Sequence, residues 1–181
     1  PIFTSQLIIN NFFLILDYII FPNFLRQKTK KPVFIIAAPR SATTYLYNTL
    51  AEDDSFTCFK LWEIIFAPSI CQKYIGISAI KIDRFARSPI KKMILFIEEV
   101  LIGKFKKIHL IGLNLPEEDE AVLLWSLSSL YLNFFYPDSN FFDDLALFDD
   151  KLSPKRKARI MRSYSNYVKR HNFVFNRNNE K

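Results

Sequence analysis

Glycine is scarce in this chain, with 3 residues among 181, whereas average proteins contain roughly 7%. We interpret this scarcity, together with the 19 phenylalanines, as a compositional bias of the genome rather than as a functional signal. The G-x-x-x-x-G-K-[ST] loop of nucleotide triphosphatases does not occur. A kinase-like nucleotide binder is therefore disfavoured, because that loop is what holds the β- and γ-phosphates.

Cysteine and histidine are also rare, with 2 residues of each. Cys58 and Cys71 have neither the C-x-x-C spacing of metal sites nor the number needed for a disulfide framework, which favours free thiols in a reducing, cytoplasmic compartment. No group of Asp, Glu and His has the spacing of a metal site, so we expect no metal. At 181 residues, half of them apolar, the chain is long enough and apolar enough for one folded domain.

A long uninterrupted apolar run is missing. Residues 5–20 are strongly apolar, but polar residues leave the run too short and too polar for a membrane span of about 20 residues. The interrupting residues are Asn10, Asn11 and Asp17. We expect a helix that ends at Pro22 and either packs on the domain or makes a peripheral contact with a membrane surface. A basic connector follows at 26–31.

Positive charge is concentrated at the end of the chain. Residues 151–181 hold 10 Lys or Arg against Glu180 alone, whereas the other residues hold 15 Lys or Arg against 17 Asp or Glu. Such a segment is either a solvated helix face or a surface that attracts polyanions or anionic lipids. Nothing in it resembles a nucleic-acid-binding module, so we expect no nucleic-acid partner.

The most informative motif is a turn between an apolar run and a helical segment. We expect a buried parallel strand over 33–38 and a helix over 43–51. The turn between them reads Pro39-Arg40-Ser41-Ala42-Thr43-Thr44. N–H groups at the start of a helix bind anions with the help of the helix dipole, and this turn adds a cation and three hydroxyl groups. The sequence therefore predicts a phosphate-binding loop.

This turn resembles the P-[RK]-S-G-T-T loop of PAPS-dependent sulfotransferases, which holds the phosphosulfate of 3′-phosphoadenosine 5′-phosphosulfate (PAPS). The resemblance implies an α/β, P-loop-like, helix-rich fold for residues 32–181, preceded by the helix and connector of residues 1–31. It implies that residues 39–44 bind PAPS and that Arg40 stabilises the charge on the leaving oxygen. The acceptor would be a hydroxyl of a carbohydrate, a lipid or a small metabolite.

A second signature of that family binds the 3′-phosphate of the donor. It is an Arg at the end of a strand, followed some eight residues later by a Ser, and it does not occur before Lys181. We therefore expect the chain to be the N-terminal portion of a sulfotransferase with an incomplete parallel sheet. The alternative is a non-catalytic or truncated remnant that acts as an interaction or membrane-peripheral protein.

Position 42 departs from the family pattern, because Ala42 stands where the family usually has Gly. Ala38 likewise stands where relatives often carry Gly. An alanine at a positive φ costs about 1 kcal/mol or somewhat more. Because Thr43 and Thr44 begin the helix directly afterwards, we expect a helical φ at Ala42. A positive φ there would favour the non-catalytic alternative.

Two residues are candidates for the base that takes the proton of the acceptor hydroxyl. Glu63 lies among apolar and aromatic residues in a helix expected over 60–73, and certain sulfotransferases place a Glu or His shortly after the first phosphate-binding helix. His109 is the second candidate, since the cytosolic branch of the family uses a His some sixty residues after the loop. Both also have structural interpretations, as a helix Glu and a core His.

Further helices are expected in three segments. A core-facing apolar stripe predicts a helix over 89–101, and a helix over 117–133 is entered through Asn114-Leu115-Pro116. A basic helix over 153–171 starts with the cap pair Ser153-Pro154, and a strand starts at 173. The acidic run Glu117-Glu118-Asp119-Glu120 begins the second of these helices. It either complements the helix dipole or contacts the acceptor.

Overall fold

The computed structural model describes residues 2–29, 32–38, 41–85, 112–137 and 140–175. Within these ranges the chain is helix-rich, as expected, and contains no strand. The α-helices are α1 (Ile2–Ile20), α2 (Thr43–Ala51), α3 (Leu61–Phe66), α4 (Ile70–Phe85), α5 (Leu132–Phe135), α6 (Phe148–Lys151) and α7 (Pro154–Phe175). Shorter 3-10 helices cover Pro22–Arg26, Asp119–Ser126 and Asn140–Leu145.

The expected strand over 33–38 is not formed, and the prediction of its burial is wrong. Residues 32–38 have no regular structure, and Val33, Phe34 and Ile36 are exposed, the last to 92%. A strand needs a neighbouring strand to satisfy its backbone N–H and C=O groups. In the part of the chain that the structure describes, the β-pairing is limited to an isolated antiparallel bridge between Lys60 and Pro116.

Two expected helices are interrupted. The helix expected over 60–73 is divided into α3 and α4 at Pro68, because proline lacks the N–H group that would continue the helical ladder. The helix expected over 117–133 is replaced by the 3-10 helix Asp119–Ser126 and α5, with Leu127 between them in the left-handed region at φ 52°.

Three expected helices are confirmed as α1, α2 and α7. The helix α7 runs on to Phe175, so the strand expected to start at 173 is wrong. The helix expected over 89–101 lies outside the described residues.

Helix α1 buries two polar residues against the domain and carries an apolar face that points outwards. Asn10 and Asp17 are completely buried. Four apolar residues on the opposite face are between 61% and 73% exposed, namely Ile8, Phe12, Ile15 and Ile19. The side-chain amide of Gln72 donates to Asn10 Oδ1 at 2.7 Å. The polar residues that interrupt the apolar run therefore attach α1 to the domain together with Leu14, which belongs to the apolar core.

By length and composition α1 could also cross a membrane. Its contacts with α4 and with the 3-10 helix Asp119–Ser126 are those of a helix packed on the domain, which is one of the two arrangements expected for residues 5–20. The apolar outer face, which we call the α1 outer stripe (Ile8, Phe12, Ile15 and Ile19), is left facing away from the core.

The apolar core lies where α3, the 3-10 helix Asp119–Ser126 and α7 meet. Ile64, Val122 and Leu132 are at most 2% exposed. The indole N–H of Trp125 donates to the carbonyl of Ile64 at 2.5 Å, which satisfies a polar group inside this core. The packing fixes α3 so that Glu63, next to Ile64, points towards α7.

Candidate functional site

The predicted phosphate-binding loop ends in an exposed turn at the start of α2. Ser41 and Ala42 are exposed, and the Ser41 hydroxyl donates to the carbonyl of Ala38 at 2.5 Å. Helix α2 begins at Thr43, and no side chain caps it among the described residues. Since the first N–H groups of a helix have no partner within it, this helix start is open to an anion. Pro39 and Arg40 lie outside the described residues.

The backbone at Ala42 is left-handed, with φ 58° and ψ 26°. The expectation of a helical φ at this position is therefore wrong. The helix begins one residue later than that expectation required, and Ala42 makes the turn into it instead of belonging to its first turn. Glycine adopts this conformation without a steric cost, whereas the alanine Cβ is crowded there.

Ala42→Gly should stabilise the protein by about 1 kcal/mol, because glycine removes the steric cost of the left-handed backbone. Chemical denaturation of both proteins measures the difference. The matched control is Ala79→Gly within α4, where glycine should cost about 0.5–1 kcal/mol. A loss of stability in Ala42→Gly similar to that in the control would mean that position 42 is helical.

Glu63 is buried, and both of its carboxylate oxygens have partners. It is 2% exposed. Its Oε1 accepts the backbone N–H of Lys60 at 3.2 Å, and its Oε2 lies 2.9 Å from His171 Nδ1 and 3.8 Å from Lys73 Nζ. A substrate proton can therefore reach this carboxylate only through a neighbouring group. Its role as the base stays a prediction.

His171 on α7 connects Glu63 to an exposed hydroxyl group. Because a carboxylate only accepts hydrogen bonds, Nδ1 carries the ring proton that Glu63 receives. In the neutral ring the other nitrogen, Nε2, accepts from the Thr57 hydroxyl, and the two atoms lie 2.6 Å apart. The imidazole ring also contacts Phe59 and Phe175, with ring centres 4.6 and 5.0 Å apart. We call Thr57, His171 and Glu63 the Thr57 relay.

Sequence reasoning missed His171 as a partner of Glu63, because 108 positions separate the two residues. The basic composition of residues 151–181 indicated either a solvated face or a surface for polyanions, and neither interpretation predicts a buried histidine. A usable signal was the helical spacing of Ile160, Tyr164, Tyr167 and His171, which places the histidine on the apolar side of α7. Ile160, Tyr167 and His171 are indeed buried.

The Glu63 carboxylate is one of four buried charged groups that balance one another. Lys73 is 1% exposed, and its ammonium group donates to the carbonyl of Ala67 at 2.7 Å. Burial lowers the pKa of Lys73 to about 8, and the charge of Glu63 opposes this shift. Arg170 and Asp17 form a second buried ion pair at 2.8 Å. Two carboxylates thus face two cations, so the charges of these four groups cancel.

Helix α2 links the turn to the segment that carries Thr57. Tyr47 lies four residues after Thr43, about 6 Å further along the helix, and its hydroxyl donates to the carbonyl of Glu117 at 3.3 Å. Burial is the main cause that raises the pKa of Tyr47, and the adjacent Cys58 adds to it. Since Cys58 follows Thr57, one face of α2 lies against this segment.

Comparisons of the chain with models of known families, with curated proteins and with solved structures found no match. The candidate site therefore stands on its residues and their geometry. His109, the second candidate base, lies outside the described residues. Among the residues that are described, no group of three or more His, Cys, Asp or Glu could hold a metal.

The acidic run bonds mainly to the protein itself. The Tyr131 hydroxyl donates to Glu118 at 2.8 Å, and Tyr164 donates to Asp119. Glu120 accepts from the Ser129 hydroxyl at 2.9 Å and from the N–H of Leu130 at 2.7 Å. These contacts favour the structural interpretation of the run, since they tie the 3-10 helix to its neighbours.

Proposed function

We propose that this chain carries the donor-binding loop of a PAPS-dependent sulfotransferase, which transfers a sulfuryl group from PAPS to a hydroxyl acceptor. The observation that supports the proposal is the uncapped start of α2, reached through an exposed turn with Ser41, Thr43 and Thr44. Free N–H groups, hydroxyl groups and the adjacent Arg40 suit a phosphosulfate anion. The proposal includes an α/β, P-loop-like sulfotransferase fold.

The residues of the turn fit such an anion. The left-handed backbone of Ala42 is one that glycine adopts without steric cost, so the alanine is the residue of the turn that counts against this fit. Thr43 and Thr44 would hold the phosphate through their N–H and hydroxyl groups. Arg40 would stabilise the charge that develops on the bridging oxygen.

Calorimetric titration with the product nucleotide PAP tests this function. We expect weak binding that depends on the 5′-phosphate, so adenosine 3′-phosphate should bind at least about tenfold more weakly. Ala42→Gly should not weaken the binding of PAP, because the left-handed backbone is already present before the nucleotide binds and its cost therefore falls on folding.

Variants of α2 show where the nucleotide binds. Thr44→Val should weaken PAP binding, because it removes a hydroxyl at the helix start. The matched control is Thr49→Val at the other end of the helix, where the hydroxyl donates to the carbonyl of Tyr45, and it should bind PAP normally. Equal affinity for PAP and adenosine 3′-phosphate would rule out the proposed use of the turn.

A second candidate function is that of a non-catalytic, membrane-peripheral protein. The positive φ of Ala42 favours it, and so does the orientation of α1, whose outer stripe carries no charge. The only charged residue of this helix, Asp17, is buried. Arg26 and Lys28 follow the helix and complement an anionic lipid surface.

Cosedimentation with lipid vesicles tests this candidate. We expect binding to phosphatidylcholine vesicles that contain phosphatidylglycerol, and loss of binding in Phe12→Glu, because a charge in the outer stripe opposes burial in lipid. The control is Ile36→Glu, which changes an apolar residue that is 92% exposed outside α1. Equal loss of binding in both variants, or no binding by the wild type, would contradict the candidate.

A further inference from the structure

The Thr57 relay joins an exposed hydroxyl group to a buried carboxylate through one imidazole ring. Thr57 is exposed, whereas His171 and Glu63 are 3% and 2% exposed. The two hydrogen bonds measure 2.6 Å and 2.9 Å and use opposite nitrogens of the ring. A group in solution can therefore exchange a proton with the imidazole only through the Thr57 hydroxyl.

We propose that the Thr57 relay accepts the proton of the acceptor hydroxyl during sulfuryl transfer, an inference that rests on the proposed function. The acceptor oxygen forms a bond to sulfur, and the bond from sulfur to the bridging oxygen of PAPS breaks, leaving PAP. The acceptor proton passes to Thr57 Oγ1 as the Thr57 proton passes to His171 Nε2. Thr57 touches the substrate, whereas His171 and Glu63 act through it.

The surroundings of the ring suit this role. Glu63 Oε2 lies next to Nδ1 and stabilises the imidazolium that the transfer creates. The N–H of Lys60 holds the other carboxylate oxygen, and Phe59 and Phe175 fix the plane of the ring. A base held in one tautomer and one orientation is already arranged for proton transfer.

Helix α2, at whose start the donor would bind, contacts the segment that carries Thr57, since Tyr47 and Cys58 interact. The start of α2 is about 6 Å along the helix from Tyr47. An acceptor positioned between the start of α2 and Thr57 would meet the sulfur on one side and the Thr57 hydroxyl on the other.

Hydroxyl replacement at position 57 tests the relay in the full chain. With sulfuryl transfer from PAPS as the assay, Thr57→Val should lower kcat about 100-fold or more, because the proton has no path to the ring. Thr57→Ser keeps the hydroxyl and should stay within about threefold of the wild type. The matched control is Thr29→Val, which removes a hydroxyl that contacts Asn172, the neighbour of His171, and it should keep full turnover.

A spectroscopic measurement tests whether Glu63 positions the ring of His171. The chain has 2 histidines, so His109→Asn leaves the ring nitrogens of His171 as the only imidazole signals in a ¹⁵N spectrum. In that background we expect a protonated Nδ1, and Glu63→Gln should shift the ring towards a mixture of tautomers. A spectrum unchanged by Glu63→Gln would contradict the positioning role.

PAP binding separates failure of the relay from failure of the proposed function. Thr57→Val with normal turnover and normal PAP affinity would overturn the relay and leave the function in place. A wild-type protein without PAP binding and without turnover would overturn both. The result that supports the relay is loss of turnover in Thr57→Val with unchanged PAP affinity.

Discussion

Under the proposed function, Arg40→Ala should lower the turnover of sulfuryl transfer about 100–1000-fold, because Arg40 would supply the charge that stabilises the leaving oxygen of the donor. The effect should fall on kcat rather than on folding, so thermal unfolding of the variant should match that of the wild type. Steady-state kinetics with PAPS, measured in the full chain, give the change.

Two substitutions serve as controls for the Arg40→Ala variant. Arg40→Lys should keep most of the turnover, since the family loop accepts either residue at this position. Arg162→Ala removes an exposed cation of α7 and should leave turnover unchanged, which separates a local charge from the general basicity of residues 151–181. A fall of less than about threefold in Arg40→Ala would remove Arg40 from the mechanism.

Asp17→Ala should destabilise the protein by about 3–5 kcal/mol, because it leaves the Arg170 guanidinium buried without its partner. Asp17 is completely buried, and its Oδ2 lies 2.8 Å from Arg170 Nε. The same carboxylate accepts the N–H groups of Ile70 and Cys71 at 2.9 and 3.1 Å, so it also caps α4. Chemical denaturation measures the loss.

Two further variants show whether the loss of stability in Asp17→Ala comes from the burial of its ion pair. Asp149→Ala removes a carboxylate that is 93% exposed and 3.9 Å from Lys157, and stability should hardly change. The double variant Asp17→Leu with Arg170→Met replaces the pair by apolar groups and should recover part of the loss. An Asp17→Ala variant as stable as Asp149→Ala would contradict the role given to this pair in joining α1, α4 and α7.

The helices could be predicted where periodicity and a terminal signal agree. Helix α7 begins at the expected Ser153-Pro154 pair, and α1 ends at Ile20, two residues before Pro22. The breaks at Pro68 and Leu127 were harder to predict, because apolar residues continue on both sides of each. The strand over 33–38 fails for another reason: a strand depends on partners elsewhere in the chain, which its own sequence does not contain.

The candidate site could be predicted only where it is local in sequence. The turn before α2 could be predicted from the order of residue types between the apolar run and the helix. The φ of Ala42 could not be predicted in this way. Glu63 was found by its apolar neighbours, but its burial depends on His171 and Lys73, and His171 comes from a distant helix. The pattern of residues around Glu63 does not indicate which distant residues will contact it in the folded chain.

Amide NMR of the ¹⁵N-labelled chain during a titration with PAP tests the central claim most directly, because it locates even weak binding. We predict that the largest shifts occur at the N–H groups of Thr43 and Thr44, with smaller ones at Ser41 and Ala42, and that adenosine 3′-phosphate does not produce them. Shifts confined to the basic helix α7, or the same shifts with adenosine 3′-phosphate, would contradict the claim that the start of α2 holds the 5′-phosphate.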